Sequence, residues 1–271
     1  MNGLLREIKK YYKKEERVHL PWRKTKDPYK ILVSEIMLQQ TQVKRVLPFY
    51  AEFTKHFPTA KKLARAPLSS VLKQWQGLGY NRRAKFLHQA AKLITDKYKG
   101  RFPTEVPEIE QLPGVGHYTA RAVAVFAFNQ PEVCIETNIR TVFLHHFFNV
   151  GHPMSNIGDK EILPLVAEAL KKSRMQPRDF YAALMDYGAH LKGQGIKLNS
   201  RSKHYTKQST FEGSARQLRG QIIKLLLQKP QTESGLIYQS TRKSKEVRKV
   251  LIQLKKEKLI SYKNKKFSIA K

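Results

Sequence analysis

Two glutamates stand where chemistry could be done. Glu35 lies in the stretch SEIMLQQTQV and Glu136 in VCIETNIRTVF, each a carboxylate set in otherwise apolar sequence. Paired carboxylates in different environments can divide acid and base work, one kept protonated by desolvation and the other ionised. Each also has a plainer reading. Glu35 fits the solvent face of an amphipathic helix, and Glu136 fits a helix cap or an ion pair beside the core-like Val133, Ile135, Ile139 and Val142. Between them runs LPGVGHYTARAVAVFAF, residues 112–128, in which Gly114 and Gly116 precede a helical pattern. A Gly-x-Gly turn opening a helix offers backbone N–H groups and the positive end of a dipole to an anion. Alone it could be an ordinary turn; after EIEQL, in a basic chain, it reads as a helix-hairpin-helix holding DNA backbone.

That basic character is strong. The 271 residues include 52 Lys plus Arg against 21 Asp plus Glu, a formal net charge of +31. The excess runs along the whole chain and points to a polyanionic partner, nucleic acid ahead of an anionic membrane surface or a merely solubilising charge. The single cysteine, Cys134, excludes an internal disulfide framework and a zinc or iron–sulfur site built on cysteines of this chain. The N-terminal segment is too charged for a signal peptide, and no apolar run approaches the length of a membrane span, so a cytoplasmic, nucleoid-associated protein is expected.

The elements that must position these residues follow from periodicity. From Pro21 to about Lys192, apolar residues recur at helical spacing, in segments parted by Pro58, Pro67, Gly77, Gly100, Pro113, Pro131, Pro153 and Pro177. This predicts a compact all-helical body. Within it, a helix beginning after DPY would carry Leu32, Ile36, Val43 and Leu47 on one side and Glu35, Gln39 and Gln42 on another. Gly193 to Ser214 lacks apolar periodicity and reads as a loop. Beyond it, three helical patterns and two short strands around a basic turn describe a winged helix, with 16 Lys plus Arg and 3 Glu from Ala215 onward. Phosphate contact is its favoured use, with the third helix as the candidate for the major groove and protein binding as the alternative. The expected domains are residues 1–196, a linker over 197–214, and 215–271.

Taken together and in collinear order, LPWR, SEIMLQQTQV, WQGLGYNRRAKFLHQAA, LPGVGHYTARAV, IETNIRTVF and ALMDYGA resemble the adenine DNA glycosylase (MutY) branch of the helix-hairpin-helix glycosylases. The resemblance implies a mainly α glycosylase fold, here with a small C-terminal winged helix. It implies a monomeric enzyme of base excision repair that hydrolyses the glycosidic bond of adenine opposite 8-oxoguanine or guanine in double-stranded DNA. By motif, Glu35 matches the general acid that protonates the purine at N7. Glu136 takes the place of an aspartate that stabilises the sugar cation, one methylene longer than the family residue. Tyr118 stands where bifunctional relatives carry a Schiff-base lysine, which implies a glycosylase without lyase chemistry. Asn138 matches an asparagine that orients the second carboxylate and water. Trp22, Arg23 and Leu38 match the base pocket, and Gln40 and Tyr80 match wedges that fill the stack when the base is flipped. Ordinary core packing is the plainer reading of Trp22 and Tyr80. Arg82, Arg83, Gly114, Val115, Gly116, His117 and Lys203 are the implied DNA contacts.

The chain also departs from that family. Lys192, Asn199, Ser202 and Gln208 stand at the places of four cysteines that hold an iron–sulfur cluster, so neither cluster nor metal is expected; His204 reads as a surface residue. A winged helix is expected in place of the usual 8-oxoguanine-reading domain, and Ala182 stands where a Glu or Gln often meets the adenine. Two alternatives therefore stay open: a thymine or uracil glycosylase of the same fold, and an inactive damage-binding protein.

Overall fold

A computed structural model of the chain describes residues 1–14, 19–148, 157–196, 198–203 and 210–270. The expected break at Pro153 and the positions of His204 and Gln208 lie outside these residues. In chain order the helices are α1 (Asn2–Lys14), α2 (Pro28–Leu38), α3 (Val43–His56), α4 (Ala60–Arg65), α5 (Leu68–Gln74), α6 (Arg82–Asp96), α7 (Val106–Glu110) and α8 (His117–Phe128). They continue with α9 (Thr137–Phe147), α10 (Asp159–Ser173), α11 (Pro177–Gly193), α12 (Ala215–Gln228), α13 (Glu233–Ser240) and α14 (Ser244–Lys256), followed by strands β1 (Ile260–Lys263) and β2 (Lys266–Ile269). Among the described residues no helix is long and apolar enough to cross a membrane.

The chain forms two compact units, the first from Met1–Glu35, Thr104–Gln111 and Val115–Lys207, the second from Ile36–Pro103, Leu112–Gly114 and Gln208–Lys271. In the first, α9 and α11 bury Ile139, Val142, Phe143, Phe180 and Leu184. Helix α1, in a stretch whose sequence shows chiefly its charge, brings Leu4, Ile8 and Tyr11 to this core at helical spacing. The Tyr11 ring stacks on Tyr187 of α11 at 5.0 Å. Arg140 of α9 reaches the first residue of α10, Asp159, with bonds of 2.7 and 3.1 Å to Oδ1 and 3.0 Å to Oδ2.

The second unit centres on Trp75, whose ring meets that of Phe53 edge-on at 5.6 Å. It also contains the C-terminal module, so residues 215–271 share one compact body with α3–α6. Helices α12, α13 and α14 and the β1–β2 hairpin form in the order that defines a winged helix. Ser214 and Thr232 cap α12 and α13 by accepting the N–H groups of Gln217 and Gly235. Asn264 and Lys265 turn the hairpin with φ of 50° and 56°, the left-handed pair that matches the twist of two paired strands.

One expected element is not a single helix. Helix α2 ends at Leu38, and α3 begins at Val43, so Val43 and Leu47 do not continue the stripe of Leu32 and Ile36, nor do Gln39 and Gln42 continue that of Glu35. The reason lies far away in sequence. Nη1 of Arg83 donates to the carbonyls of Ile36 (3.0 Å), Met37 (2.8 Å) and Gln39 (2.5 Å), taking up acceptors that the next helical turn would otherwise use.

Candidate active site

The acid centre is built wholly within the first unit. Asp27 caps α2, its Oδ1 accepting from the N–H of Tyr29 at 2.9 Å, and Pro28 follows at the first helical position. The helix then buries every residue from 31 to 37, Glu35 among them at 9 % exposure. Burial raises the Glu35 carboxyl from 4.5 to about 7, and the negative charge of Glu136 pushes the same way; a hydrogen bond with Tyr118 and the Arg23 charge oppose them. Glu35 is therefore about half protonated near neutrality, the condition a general acid needs. Tyr118 stands in the first turn of α8, and its phenol is held well above its usual value by burial and then by Glu35 and Glu136, so it is a proton donor to the carboxylate and stays protonated.

Glu136 resolves the two readings of its segment by combining them. It is the N-cap of α9: its Oε1 accepts from the N–H groups of Asn138 at 2.7 Å and Ile139 at 2.9 Å. The same carboxylate acts electrostatically on Glu35 and Tyr118. The segment ahead of the cap is pinned by Tyr181, whose hydroxyl accepts from Cys134 N–H at 3.2 Å and donates to the Glu132 carbonyl at 2.9 Å. Asn138 is oriented by Lys192, whose Nζ donates to Oδ1 at 2.8 Å.

Trp22 and Arg23 form the 3-10 turn Pro21–Arg23. Trp22 is 9 % exposed. The Arg23 guanidinium is committed to Asp186 of α11, through Nη1–Oδ2 at 3.0 Å and Nη2–Oδ1 at 2.8 Å, with Nη2 also donating to the Ala182 carbonyl at 3.2 Å. Arg178 in turn donates to the carbonyls of Arg23 and Thr25. Position 182 thus meets Arg23 through its main chain, and the ion pair fixes the turn rather than leaving a free cation for a base. Asp186, Tyr181 and Arg178 escaped the sequence reading, as did the bond from Lys192 to Asn138. Only Asp186 left a signal there, as a charge within the apolar run ALMDYGA.

In the second unit Gln40 and Tyr80 share an unusual feature: both non-glycine residues have φ near +50°, at 53° and 50°. One guanidinium holds both loops. Besides its bonds at the end of α2, Arg83 donates from Nη2 to the Gly79 carbonyl at 3.2 Å. This corrects the expected DNA contact at Arg83. The residue is 8 % exposed, desolvation lowers its pKa to about 10, and its Nη1 and Nη2 groups donate to main-chain carbonyls. Arg83→Met should leave those carbonyls with unmatched acceptors and cost about 3 kcal/mol, read as a lower denaturant midpoint with unchanged slope; an unshifted midpoint would remove the keystone role. Arg82, beside it, is exposed at the start of α6. Leu38 is half-buried at the end of α2.

The hairpin has the expected form. Gly114 has φ +81°, and a Cβ there would lie 2.7 Å from Cβ of Phe86, so both backbone and packing require glycine. Gly116 is the N-cap of α8, Val115 is buried, and His117 is exposed with Nδ1 2.7 Å from Glu110 Oε1. Lys203 is exposed.

The side chains at the expected cluster positions do not fit an iron–sulfur group. Lys192 binds Asn138, Asn199 donates to Thr141 Oγ1 at 3.0 Å, and Ser202 is buried where it bridges to Ile157. The one thiol, Cys134, is buried near Glu35 with its pKa pushed up by desolvation. No cluster of three or more His, Cys, Asp or Glu suited to a metal occurs among the described residues.

A glycine hairpin ahead of a helix, a desolvated acid and a second carboxylate capping the following helix make up a helix-hairpin-helix fold with an acid centre. Residues 33–162 match the sequence profile of the HhH-GPD superfamily of base excision DNA repair proteins. Among curated relatives, an adenine DNA glycosylase of Buchnera aphidicola subsp. Baizongia pistaciae is 36 % identical over 224 residues, covering 80 % of this chain and 62 % of that protein. One from Mycolicibacterium smegmatis is 41 % identical over 171 residues, covering 63 % of this chain and 57 % of its own. The chain thus spans about three fifths of the length of these relatives. Among solved structures, a thermostable thymine-DNA glycosylase superposes with a TM-score of 0.61 at 27 % identity, over 75 % of this chain and 95 % of that one.

Proposed function

We propose that the chain is a monofunctional adenine DNA glycosylase of base excision repair, acting as a monomer on adenine opposite 8-oxoguanine or guanine in duplex DNA. The observation that carries this reading is Glu35, an acid raised to about 7 beside Glu136, with a phenol rather than an amine at position 118. In the reaction Glu35 gives its proton to N7, the C1′–N9 bond breaks with its electron pair leaving on the base, and Glu136 faces the sugar cation. Water adds at C1′, and the proton it sheds restores the Glu35 carboxyl group. Purine chemistry suits this step because N7 offers a lone pair that pyrimidines lack. No imine forms, so the product is an intact abasic site.

Gln40 and Tyr80 serve as the wedges, Gly114 to His117 hold a phosphate at the start of α8, and Arg82 and Lys203 add backbone charge. The chain works without an iron–sulfur cluster, in keeping with the polar side chains that stand at its ligand positions. Single-turnover base release from duplexes pairing A, T or U with G or 8-oxoguanine tests the assignment. Adenine should leave from the first two pairings and no strand break should appear before alkali. The thymine or uracil reading has in its favour the likeness to a thymine-DNA glycosylase structure; release of T or U but not A would establish it instead.

The role of Glu136 can be separated from its capping. Glu136→Gln keeps an Oε1 acceptor for Asn138 and Ile139 but removes the charge, so base release should fall by about 100-fold with little change in melting temperature. Glu136→Asp keeps charge and cap and should retain activity within about tenfold. If the glutamine variant were as fast as the parent, the residue would be a cap alone.

A further inference from the structure

The C-terminal module touches the loop that carries the Tyr80 wedge. Gly77, Gly79 and Tyr80 have φ of 94°, 82° and 50°, a backbone that needs outside support. Its main chain has that support: the Gly79 carbonyl accepts from Trp75 Nε1 at 3.1 Å as well as from Arg83, and the Gly77 carbonyl accepts from Arg45. The phenol ring is met by two guanidiniums, that of Arg83 at 5.2 Å from its centre and one from the C-terminal module, which also bonds the hydroxyl. Arg216, in the first turn of α12, places its guanidinium 5.1 Å from the centre of the Tyr80 ring and 5.6 Å from that of Phe211, and its Nη1 donates to the Tyr80 hydroxyl. The helix that presents Arg216 is itself fastened. Arg219, one turn on, grips the Glu257 carboxylate at the end of α14, and the Glu257 carbonyl accepts from Lys85 of α6, five residues after Tyr80.

We propose that Arg216 is a positioning residue for Tyr80, and that the winged helix thereby braces the wedge that enters the duplex when the base is turned out. The inference rests on the reading of Tyr80 as a wedge. An aromatic side chain that must fill a vacated stack loses its ring freedom on entry, and a ring already held in one orientation has less to lose. A guanidinium suits this task because it can stack on the face and still donate to the hydroxyl. An ordinary phosphate contact by Arg216 is the competing use, and it has a different signature: it would weaken binding for every duplex and lower its salt dependence.

The test follows flipping by stopped-flow fluorescence, with 2-aminopurine next to an adenine opposite 8-oxoguanine, using the full chain. Tyr80→Ala should slow the fluorescence rise, and Arg216→Ala should slow it by about tenfold while duplex affinity stays within about threefold and the salt slope is unchanged. Arg216→Lys keeps the charge but not the planar stack, and should remain slow. Arg219→Ala loosens α12 but leaves Arg216 on the Tyr80 ring, and should slow flipping clearly less than Arg216→Ala does. Slow Tyr80→Ala with normal Arg216→Ala overturns the brace and leaves the wedge standing. A fast Tyr80→Ala removes wedge and brace together, and a parent protein that shows no flipping at all removes the proposed function with them. Recovery by Arg216→Lys, a shallower salt slope, or equal slowing by Arg219→Ala would each assign Arg216 to charge or to folding and defeat the proposal.

Discussion

Glu35→Gln should bind a mispaired duplex as the parent does and release base more slowly by about 10²–10⁴-fold, the usual contribution of a positioned proton donor. The amide fills the same space in the buried stretch 31–37 and cannot give up a proton at any working pH. In the parent, the rate should be level at acid pH and fall about tenfold per pH unit once pH passes the raised value of about 7, because only the protonated fraction of Glu35 can act. The variant should lose that dependence along with the rate. Single-turnover assays from pH 5.5 to about 9, read by alkaline strand cleavage, measure both. A glutamine variant of parental speed would end the assignment of Glu35 as the acid, whatever base is released.

The same proton appears in stability. Glu35 has a higher proton affinity folded, at about 7, than the 4.5 of an open chain, so between these values the native state holds more proton than the unfolded one. The contribution is fully present below 4.5 and is lost as pH rises to about 7, beyond which the carboxylate is ionised in both states. A shift of that size corresponds to about 3 kcal/mol at most. Above pH 7 the parent thus carries a buried charge that the glutamine variant lacks. The variant should melt higher than the parent at pH 8, and the gap should close on acidification. That pattern would show that the acid is held at a cost to the fold.

Much of the site was legible because chemistry-bearing residues interrupt an apolar pattern. Glu35 and Glu136 are conspicuous for this reason, and the glycine hairpin is conspicuous because its requirement for positive φ is local. The winged helix could be read off because helix periods, Ser and Thr caps and a two-residue turn are all short-range signals. What could not be read are partners chosen by the fold. The end of α2 depends on Arg83, more than 40 residues later, so helical periodicity ran on through Gln39 to Leu47 where the helix does not. Arg23 looks like a free cation in LPWR until Asp186 is brought beside it. Lys192 looks like an empty ligand position until its Nζ is found on Asn138. Sequence shows which groups are costly to bury, and packing decides what neutralises them.

Gly188→Ala should be the most damaging single methyl in the first unit. Glycine inside a helix is normally a liability of about 1 kcal/mol relative to alanine, so propensity alone predicts a gain. The contacts reverse the sign. A Cβ at position 188 of α11 would lie 2.4 Å from the Asn138 carbonyl oxygen, 2.7 Å from its carbon and 2.8 Å from its Cβ. Two of these atoms belong to the main chain of the first turn of α9, which cannot rotate aside as a side chain can. Relief requires α9 to move, and the groups at that end are the Glu136 cap and the Asn138 amide held by Lys192. Overpacking of this kind costs about 1–3 kcal/mol, and displacement of a catalytic group by about 1 Å can cost about 100-fold in rate. The expected result is a modest drop in melting temperature with a disproportionate loss of base release, measured well below the melt so that unfolding does not contribute. Duplex affinity should hold, since the hairpin glycines lie elsewhere in the chain. If Gly188→Ala lost stability but not rate, Glu136 and Asn138 would not need their position, and the sugar-facing role of that carboxylate would fall with it.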